Sequence, residues 1–259
     1  MAQVIITRKS LSQHSPCAPD HAALARCYNV SFSQSSGAFP SMATLLARSA
    51  RLSPDPAVLG EIGDPDCNLA VWQRPAFADF APLVVGAPRD LRFVSNVHSL
   101  AATLARALGE SDFGGGSALH GLLVKDAERL AGLFCDALGL AAFEVRLEVV
   151  RTDSCRKFHA DYVTARLITT YVGAGTDWLD EADAARVAAG ETPQRINRLA
   201  PFDVGLFKGR LGTESPAIHR SPPIAETADG ARLLLVLNPV SRSFVEAPSS
   251  PLPHPGQVS

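Results

Sequence analysis

The spacing of apolar positions changes near residue 140, and each spacing predicts a different kind of element. Between residues 119 and 138 large apolar side chains recur three or four positions apart, which is the period of an amphipathic helix, and Gly139 ends the run. Seven residues form this stripe: Leu119, Leu122, Leu123, Leu130, Leu133, Phe134 and Leu138. After residue 140 the chain breaks into short β-prone runs separated by Gly, Pro and Asp, a pattern typical of antiparallel strands.

These elements together predict an α+β protein with one β-rich core. Strands are predicted at 68–74, 143–151, 166–172, 202–207 and 232–237, and helices at 96–108, 119–138 and 180–189. The strands should form an antiparallel barrel or sandwich, and the long helix should pack on its outside because an amphipathic stripe needs an apolar partner.

The two ends of the chain show no pattern that could bury apolar surface. We therefore expect a poorly ordered extension at 1–55 and a disordered tail at 248–259, which is rich in proline and serine. Between them, a single domain is predicted at 56–247, with its core at 143–239.

Composition excludes several classes of partner. The 259 residues carry a formal net charge of -2 and a pI near 6.4, so no basic surplus would attract nucleic acid or an anionic membrane. No apolar run approaches the roughly 18 to 20 residues of a membrane helix. The five cysteines are odd in number and never form a C-x-x-C pair, which argues against a disulfide framework and a four-thiolate zinc site. We expect a cytoplasmic protein that acts on a small molecule or on a protein side chain.

Three residues in the C-terminal half could form a metal site. His159 and Asp161 are two positions apart, so on an extended strand both side chains project from the same face. His219 follows 219 − 159 = 60 residues later, just before the strand predicted at 232–237. Two imidazoles and one carboxylate, with the remaining positions open, are the ligands of many Fe(II) oxygenases.

The residue types leave the metal open. The same three ligands with one water would also suit a catalytic zinc ion. A structural alternative remains too, in which these side chains only form hydrogen bonds, because His-x-Asp arises often by chance.

Several segments of the chain resemble a known family. They are Asn-Leu-Ala-Val-Trp-Gln-Arg at 68–74, Cys-Arg-Lys-Phe-His-Ala-Asp at 155–161, Arg-Leu-Ile-Thr-Thr-Tyr-Val-Gly-Ala-Gly-Thr-Asp-Trp at 166–178, Phe-Asp-Val-Gly-Leu-Phe-Lys-Gly at 202–209, His-Arg-Ser-Pro-Pro at 219–223 and Arg-Leu-Leu-Leu-Val-Leu-Asn at 232–238. Together they resemble the bacterial family catalogued as domain of unknown function 1826, most strongly over 150–239. A family of unknown function implies no mechanism.

The order of these segments is also similar to that of Fe(II)/2-oxoglutarate dioxygenases such as the prolyl hydroxylases. That resemblance implies a double-stranded β-helix (jelly-roll, cupin-like) barrel with flanking N-terminal helices, and Fe(II) and 2-oxoglutarate as cofactors, with Zn(II) as the alternative metal. It assigns the co-substrate carboxylate to Arg232, which lies 232 − 219 = 13 residues after His219. Arg166 is the substitute for that role, and Tyr171 is expected to line the pocket.

Four further residues are expected near the ligands without being assigned to the metal. They are Cys155, Arg220, Lys208 and Trp178. Each has a structural alternative: a core aromatic for Trp178 and Tyr171, a solvated strand end for Lys208, and a surface ion pair for Arg232. Arg220 should point away from a metal bound to His219, because adjacent strand residues face opposite ways.

Three functions follow from these observations. The first is an oxygenase that uses Fe(II) and 2-oxoglutarate, and the second is a non-catalytic protein that binds or handles zinc or iron. The third is a metal-free β-barrel interaction module. Only the oxygenase requires a cation beside the metal to hold a dicarboxylate.

Overall fold

The computed structural model describes residues 49–153, 155–226 and 230–240, and within these ranges the protein has an α+β architecture. Ten strands lie in them: β1 (Ala50–Ser53), β2 (Leu69–Trp72), β3 (Leu91–Ser95), β4 (Phe143–Val150), β5 (Ala165–Val172), β6 (Asp177–Trp178), β7 (Asn197–Arg198), β8 (Val204–Lys208), β9 (His219–Arg220) and β10 (Arg232–Pro239). The α-helices are α1 (Leu100–Glu110), α2 (Gly116–Leu138) and α3 (Glu181–Ala188). Short 3-10 helices span Pro56–Gly63, Ala81–Val84 and Ile224–Glu226.

The strands form one large sheet and one small sheet. Seven strands make the large sheet in the order β1-β2-β8-β5-β10-β4-β3, and the small sheet has the order β7-β6-β9. Every pairing is antiparallel except β1 with β2. The α+β class is therefore confirmed.

The central strands of the large sheet are covered on both faces. Alternate residues of its strands, such as Leu233 and Leu235, join a large apolar cluster with α1 and α2. The intervening residues, such as Leu234 and Val236, join a smaller cluster that includes Trp178 of the small sheet. Burial on both sides explains why β10 begins with a nearly unbroken apolar run instead of alternating with polar residues.

Helix α2 packs on the large sheet through most of the predicted stripe. Leu123, Leu130 and Phe134 are fully buried, and Gly139 ends the helix with a left-handed backbone conformation at φ 63°. Leu122 departs from the prediction, because its side chain lies at the edge of the buried face and is 42% exposed.

A buried polar network joins α2 to the sheet on this face. Asp126 of α2 accepts hydrogen bonds from the guanidinium of Arg74, at 2.8 Å from Nη2, and from the hydroxyl of Tyr171, at 2.6 Å. Arg74 also donates from Nε to the carbonyl of Phe202. Because every member has a partner, the network compensates the cost of burying these polar groups.

Several predicted boundaries were wrong. The helix predicted at 96–108 begins only at Leu100, because the Asn96 side chain accepts hydrogen bonds from the backbone of His98 and Ser99 and forms a turn there. Strand β3 was not predicted, since it is short and lies in a segment broken by proline and glycine.

Ala50–Ser53, which pairs with β2, lies ahead of residue 56, the predicted start of the domain. Residues 1–48 and the tail at 248–259 lie outside the described residues. In the part of the chain that the structure describes, no helix is both long enough and apolar enough to cross a bilayer.

Truncating the buried face of α2 should destabilise the protein. Leu130→Ala should lower the free energy of unfolding by about 2–5 kcal/mol, because it opens a cavity between helix and sheet. Leu122→Ala on the same helix is the control and should change it by less than about 0.5 kcal/mol. Urea unfolding followed by circular dichroism measures both, and equal effects of the two substitutions would contradict the packing described here.

Candidate metal centre

Two distant segments meet at a single antiparallel bridge between His159 and His219. The backbone N–H of each residue donates to the carbonyl of the other, at 2.9 and 3.0 Å. Residues directly opposite each other in this way place their side chains on the same side. The two imidazole rings accordingly lie side by side, with 4.8 Å between their centroids.

Backbone carbonyls fix the tautomer of both histidines. Nδ1 of His159 lies 2.9 Å from the carbonyl oxygen of Lys157, and Nδ1 of His219 lies 3.2 Å from that of Ala217. Since a carbonyl oxygen can only accept, each Nδ1 carries a proton, and in the neutral imidazole each Nε2 then keeps its lone pair. A metal-binding histidine typically has this arrangement, with one nitrogen held by the protein and the other available.

Asp161 completes the group. Its side chain is buried, with Oδ2 at 3.2 Å from Nε2 of His219 and Oδ1 at 3.7 Å from Nε2 of His159. Among the described residues Oδ2 has no hydrogen-bond partner, although Nε2 of His219 lies close to it. The ligand atoms of the three residues lie within 4.8 Å of one another and could hold a metal ion.

Arg166 holds the other oxygen of the same carboxylate. Nη1 donates to Oδ1 of Asp161 at 2.7 Å, and Nε donates to the side-chain oxygen of Asn238 at 2.6 Å. Burial alone would raise the pKa of Asp161, but His159, His219 and Arg166 outweigh it and hold that pKa well below its usual range. The carboxylate is therefore ionised, with Oδ1 occupied and Oδ2 available.

A glycine-containing loop clamps the segment that carries Asp161. The N–H of Gly209 donates to the carbonyl of Thr164, and the N–H of Arg210 donates to that of Asp161, both at 2.9 Å. A β-carbon on Gly209 would lie 2.3 Å from the carbonyl oxygen of Val163, which is closer than atoms can approach. Glycine is required here because the two backbones touch.

The site is closed on one side and open on the other. His219 is buried against the ring of Phe207, with 4.7 Å between centroids, and lies opposite Trp178 in the pairing of β6 with β9. The side chain of His159 is 37% exposed. The site therefore opens toward solvent at His159, while Asp161 and His219 stay buried.

Arg232 is a buried cation at the start of β10. Its guanidinium donates to the carbonyl of Ala174 at 2.6 Å, to the hydroxyl of Ser221 at 2.8 Å and to that of Thr170 at 3.4 Å. The residue is only 1% exposed, and no carboxylate of the described residues lies within ion-pair distance of it. Burial lowers the pKa of Arg232 to about 10, so it stays charged at neutral pH.

Two of the predicted pocket residues lie on the wrong face of the sheet. Tyr171 points toward α2, where it binds Asp126, and so does not line the site. Lys208 follows Phe207 and therefore points to the opposite face, where its Nζ donates to the carbonyl of Asp64.

Two further predicted residues are not among the ligands. Cys155 is exposed and lines the same surface pocket as His159. Arg220 faces away from the ligand atoms, as expected, and pairs with Asp177.

Sequence reasoning missed three polar residues that the fold brings to the site. Asn238 supports Arg166, while Thr170 and Ser221 contact Arg232. Asn238 had a detectable signal, because it follows an unbroken run of five apolar residues in its strand. Ser221 gave none.

Comparison with known proteins places the chain in a family. Among solved structures it resembles a prolyl-4-hydroxylase from Pseudomonas putida, with 16% identity and a TM-score of 0.36 over 72% of this chain and 94% of that chain. It also resembles a bsmA homologue from Methylobium petroleophilum PM1, with 18% identity and a TM-score of 0.29 over 50% of this chain and 56% of that chain. No curated protein matches the sequence. The family described as "Protein of unknown function (DUF1826)" matches residues 53–238, and the chain belongs to that family.

Proposed function

We propose that this protein is an oxygenase that uses Fe(II) and 2-oxoglutarate, with His159, Asp161 and His219 as the metal ligands. The observation that carries the proposal is the buried Oδ2 of Asp161, which has no hydrogen-bond partner among the described residues and lies 3.2 Å from Nε2 of His219. A carboxylate oxygen and the lone pair of a neutral imidazole repel each other at this distance unless a cation, either a proton or a metal ion, lies between them. A divalent ion would satisfy all three ligand atoms at once.

The three ligands suit an iron that must also bind other groups. Two imidazoles and one carboxylate leave coordination positions open, and a bound Fe(II) would supply the activation of dioxygen there. The chain's own part is to orient the ligands: two carbonyls fix the histidine tautomers, and Arg166 reserves one oxygen of Asp161. Zinc remains the alternative metal because it accepts the same ligands.

Arg232 is the proposed anchor for 2-oxoglutarate. A planar guanidinium binds a carboxylate through two parallel hydrogen bonds, and the hydroxyls of Thr170 and Ser221 already contact it. Among the described residues Arg232 has no carboxylate within ion-pair distance. Burying such a cation costs stability, and a bound dicarboxylate would offset that cost. A protein that only stores or delivers metal does not need a buried guanidinium to bind a dicarboxylate, so the metal-handling alternative is not favoured.

The proposed fold is a double-stranded β-helix. Support comes from the small apolar cluster shared by the large and small sheets, with His219 on β9 and Arg232 on β10. The substrate is proposed to be a small molecule or a single protein side chain, and neither nucleic acid nor a membrane is expected as a partner.

Removing the guanidinium should separate co-substrate binding from metal binding. Arg232→Ala should weaken 2-oxoglutarate binding roughly ten- to hundredfold, because a charge-assisted carboxylate clamp is lost, while Fe(II) affinity stays nearly unchanged. Anaerobic calorimetry with Fe(II) measures both affinities. Arg232→Lys keeps the positive charge but not the two parallel donors, so its 2-oxoglutarate affinity should lie between those of the wild type and Arg232→Ala.

Three results would revise the proposal. Wild-type protein that binds metal but not millimolar 2-oxoglutarate would move metal handling ahead of the oxygenase. A loss of 2-oxoglutarate binding at saturating Fe(II) with Arg166→Ala but not with Arg232→Ala would move the anchor to Arg166. Arg186→Ala, which removes an ion-paired arginine of α3, is the control and should change neither affinity.

Arg166 should also control metal affinity. Arg166→Met removes the hydrogen bond to Oδ1 of Asp161 and should weaken Zn(II) binding roughly ten- to hundredfold, the usual effect of losing a group that orients a metal ligand. Competition with a chelating dye measures the affinity, and Arg186→Met is the matched control. Unchanged affinity in Arg166→Met would contradict the proposed support of Asp161.

A further inference from the structure

A groove of about 340 Å³ lies on the large sheet beside the candidate metal centre. Strands β3, β4, β5 and β10 form its floor through side chains that point away from the helices. Its lining residues are Arg92, Val94, Glu144, Arg146, Val163, Arg166, Asn238, Pro239 and Val240. Arg166 is shared, because it lines the groove and also donates to the proposed metal ligand Asp161.

Three guanidinium groups in the groove have donors to spare. Arg92 uses Nε and Nη2 on Glu144, Arg146 uses Nε and Nη2 on Glu148, and Arg166 uses Nε and Nη1. Each guanidinium carries five N–H groups. One terminal nitrogen of each therefore has no partner among the described residues: Nη1 of Arg92, Nη1 of Arg146 and Nη2 of Arg166.

The acceptors in the groove are already occupied. Glu144 accepts from Asn238 at Oε1 and from Arg92 at Oε2, and the side-chain oxygen of Asn238 accepts from Arg166. The groove thus combines surplus donors with filled acceptors. A ligand rich in acceptors, such as a carboxylate or a phosphate, matches this inventory, whereas a donor such as an amine does not.

The register of β3 and β4 adds a charge argument. Arg92 lies directly opposite Arg146 in the ladder. Like charges in that position repel each other, and Glu144 and Glu148 offset the repulsion only from neighbouring positions. An anion held between the two guanidinium groups would remove the remaining cost.

Apolar side chains form the rest of the wall. Val94 is 45% exposed and, with Val163, Pro239 and Val240, lines the groove beside the arginines. The volume is near the lower end for ligand pockets, which favours a small ligand. A ligand with a short apolar stem that ends in one anionic group would contact both the apolar wall and the arginines of the groove.

We propose that this groove binds the substrate, a small molecule with a carboxylate or phosphate on a short apolar stem, and that Arg92 and Arg146 hold its anionic group. Arg92 is linked to Arg166 through Glu144 and Asn238, and Arg166 donates to Asp161, so the groove lies on the same face of the sheet as the candidate metal centre. The inference rests on the proposed function, because it treats the groove as the substrate site of that oxygenase.

Butylphosphonate is a suitable probe, since its phosphorus reports directly by NMR. Full-length protein is loaded with Mn(II) and saturating 2-oxoglutarate, so that the anchor at Arg232 is filled, and the ³¹P line width is followed during titration. We expect saturable broadening by the nearby paramagnetic ion, with displacement by butyrate but not by neutral butyramide. Arg92→Gln and Arg146→Gln should each weaken binding roughly tenfold, since each removes one charge-assisted contact. Arg186→Gln is the matched control and should bind like wild type.

Failure of the groove and failure of the proposed function give different results. Two results would overturn the groove alone. In the first, Mn(II) and 2-oxoglutarate bind normally but butylphosphonate binding is not saturable. In the second, butylphosphonate binds but neither arginine substitution changes its affinity. If Mn(II) does not bind, the proposed oxygenase function is contradicted. A ³¹P titration of the metal-free protein then shows whether the groove still binds the anion. A blocked Ala-Glu-Ala peptide that displaces the probe at lower concentration than butyrate would overturn the small-molecule assignment in favour of a protein side chain.

Discussion

The antiparallel bridge between His159 and His219 is the contact on which the candidate site depends. Two reciprocal backbone hydrogen bonds join segments that are 60 residues apart in sequence (219 − 159 = 60) and turn both rings to the same side. The loop at Gly209 then fixes the backbone of Asp161 relative to them. Closing such a long loop costs chain entropy, which the pairing of the surrounding strands offsets. Backbone hydrogen bonds within the fold therefore set the relative positions of the ligand-bearing segments.

The two faces of the large sheet differ in role: one packs against the helices, and the other carries the candidate site. On the helix side, Arg74, Asp126 and Tyr171 form a closed polar network in which each side chain has a hydrogen-bond partner. On the other side, among the described residues, Oδ2 of Asp161 lacks a hydrogen-bond donor and the buried charge of Arg232 lacks a carboxylate within ion-pair distance. Buried polar groups are normally satisfied, so incomplete satisfaction on one face marks the face that receives ligands.

Local pattern was enough to predict some of this structure. The stripe at 119–138 defined α2, and the spacing of His159 and Asp161 indicated side chains that could share an ion. The local pattern did not show on which face of the sheet the side chains of Tyr171 and Lys208 lie. Both lie on strands whose two faces are buried, so apolar and polar residues do not alternate and the sequence carries no sign of direction. The partners of Arg166 and Arg232 were beyond reach for another reason, since Asn238 and Ser221 come from distant parts of the chain.

The central claim is that two histidines and one carboxylate bind a single divalent ion. X-ray absorption at the metal edge of protein purified without added metal or an affinity tag tests it most directly. The account predicts one bound ion per chain, with two imidazole nitrogens among nitrogen and oxygen ligands and no sulfur, and loss of one imidazole in His219→Ala. An ion with a sulfur ligand, an ion unaffected by His219→Ala, or metal-free protein that takes up no Fe(II), Zn(II) or Mn(II) would contradict it.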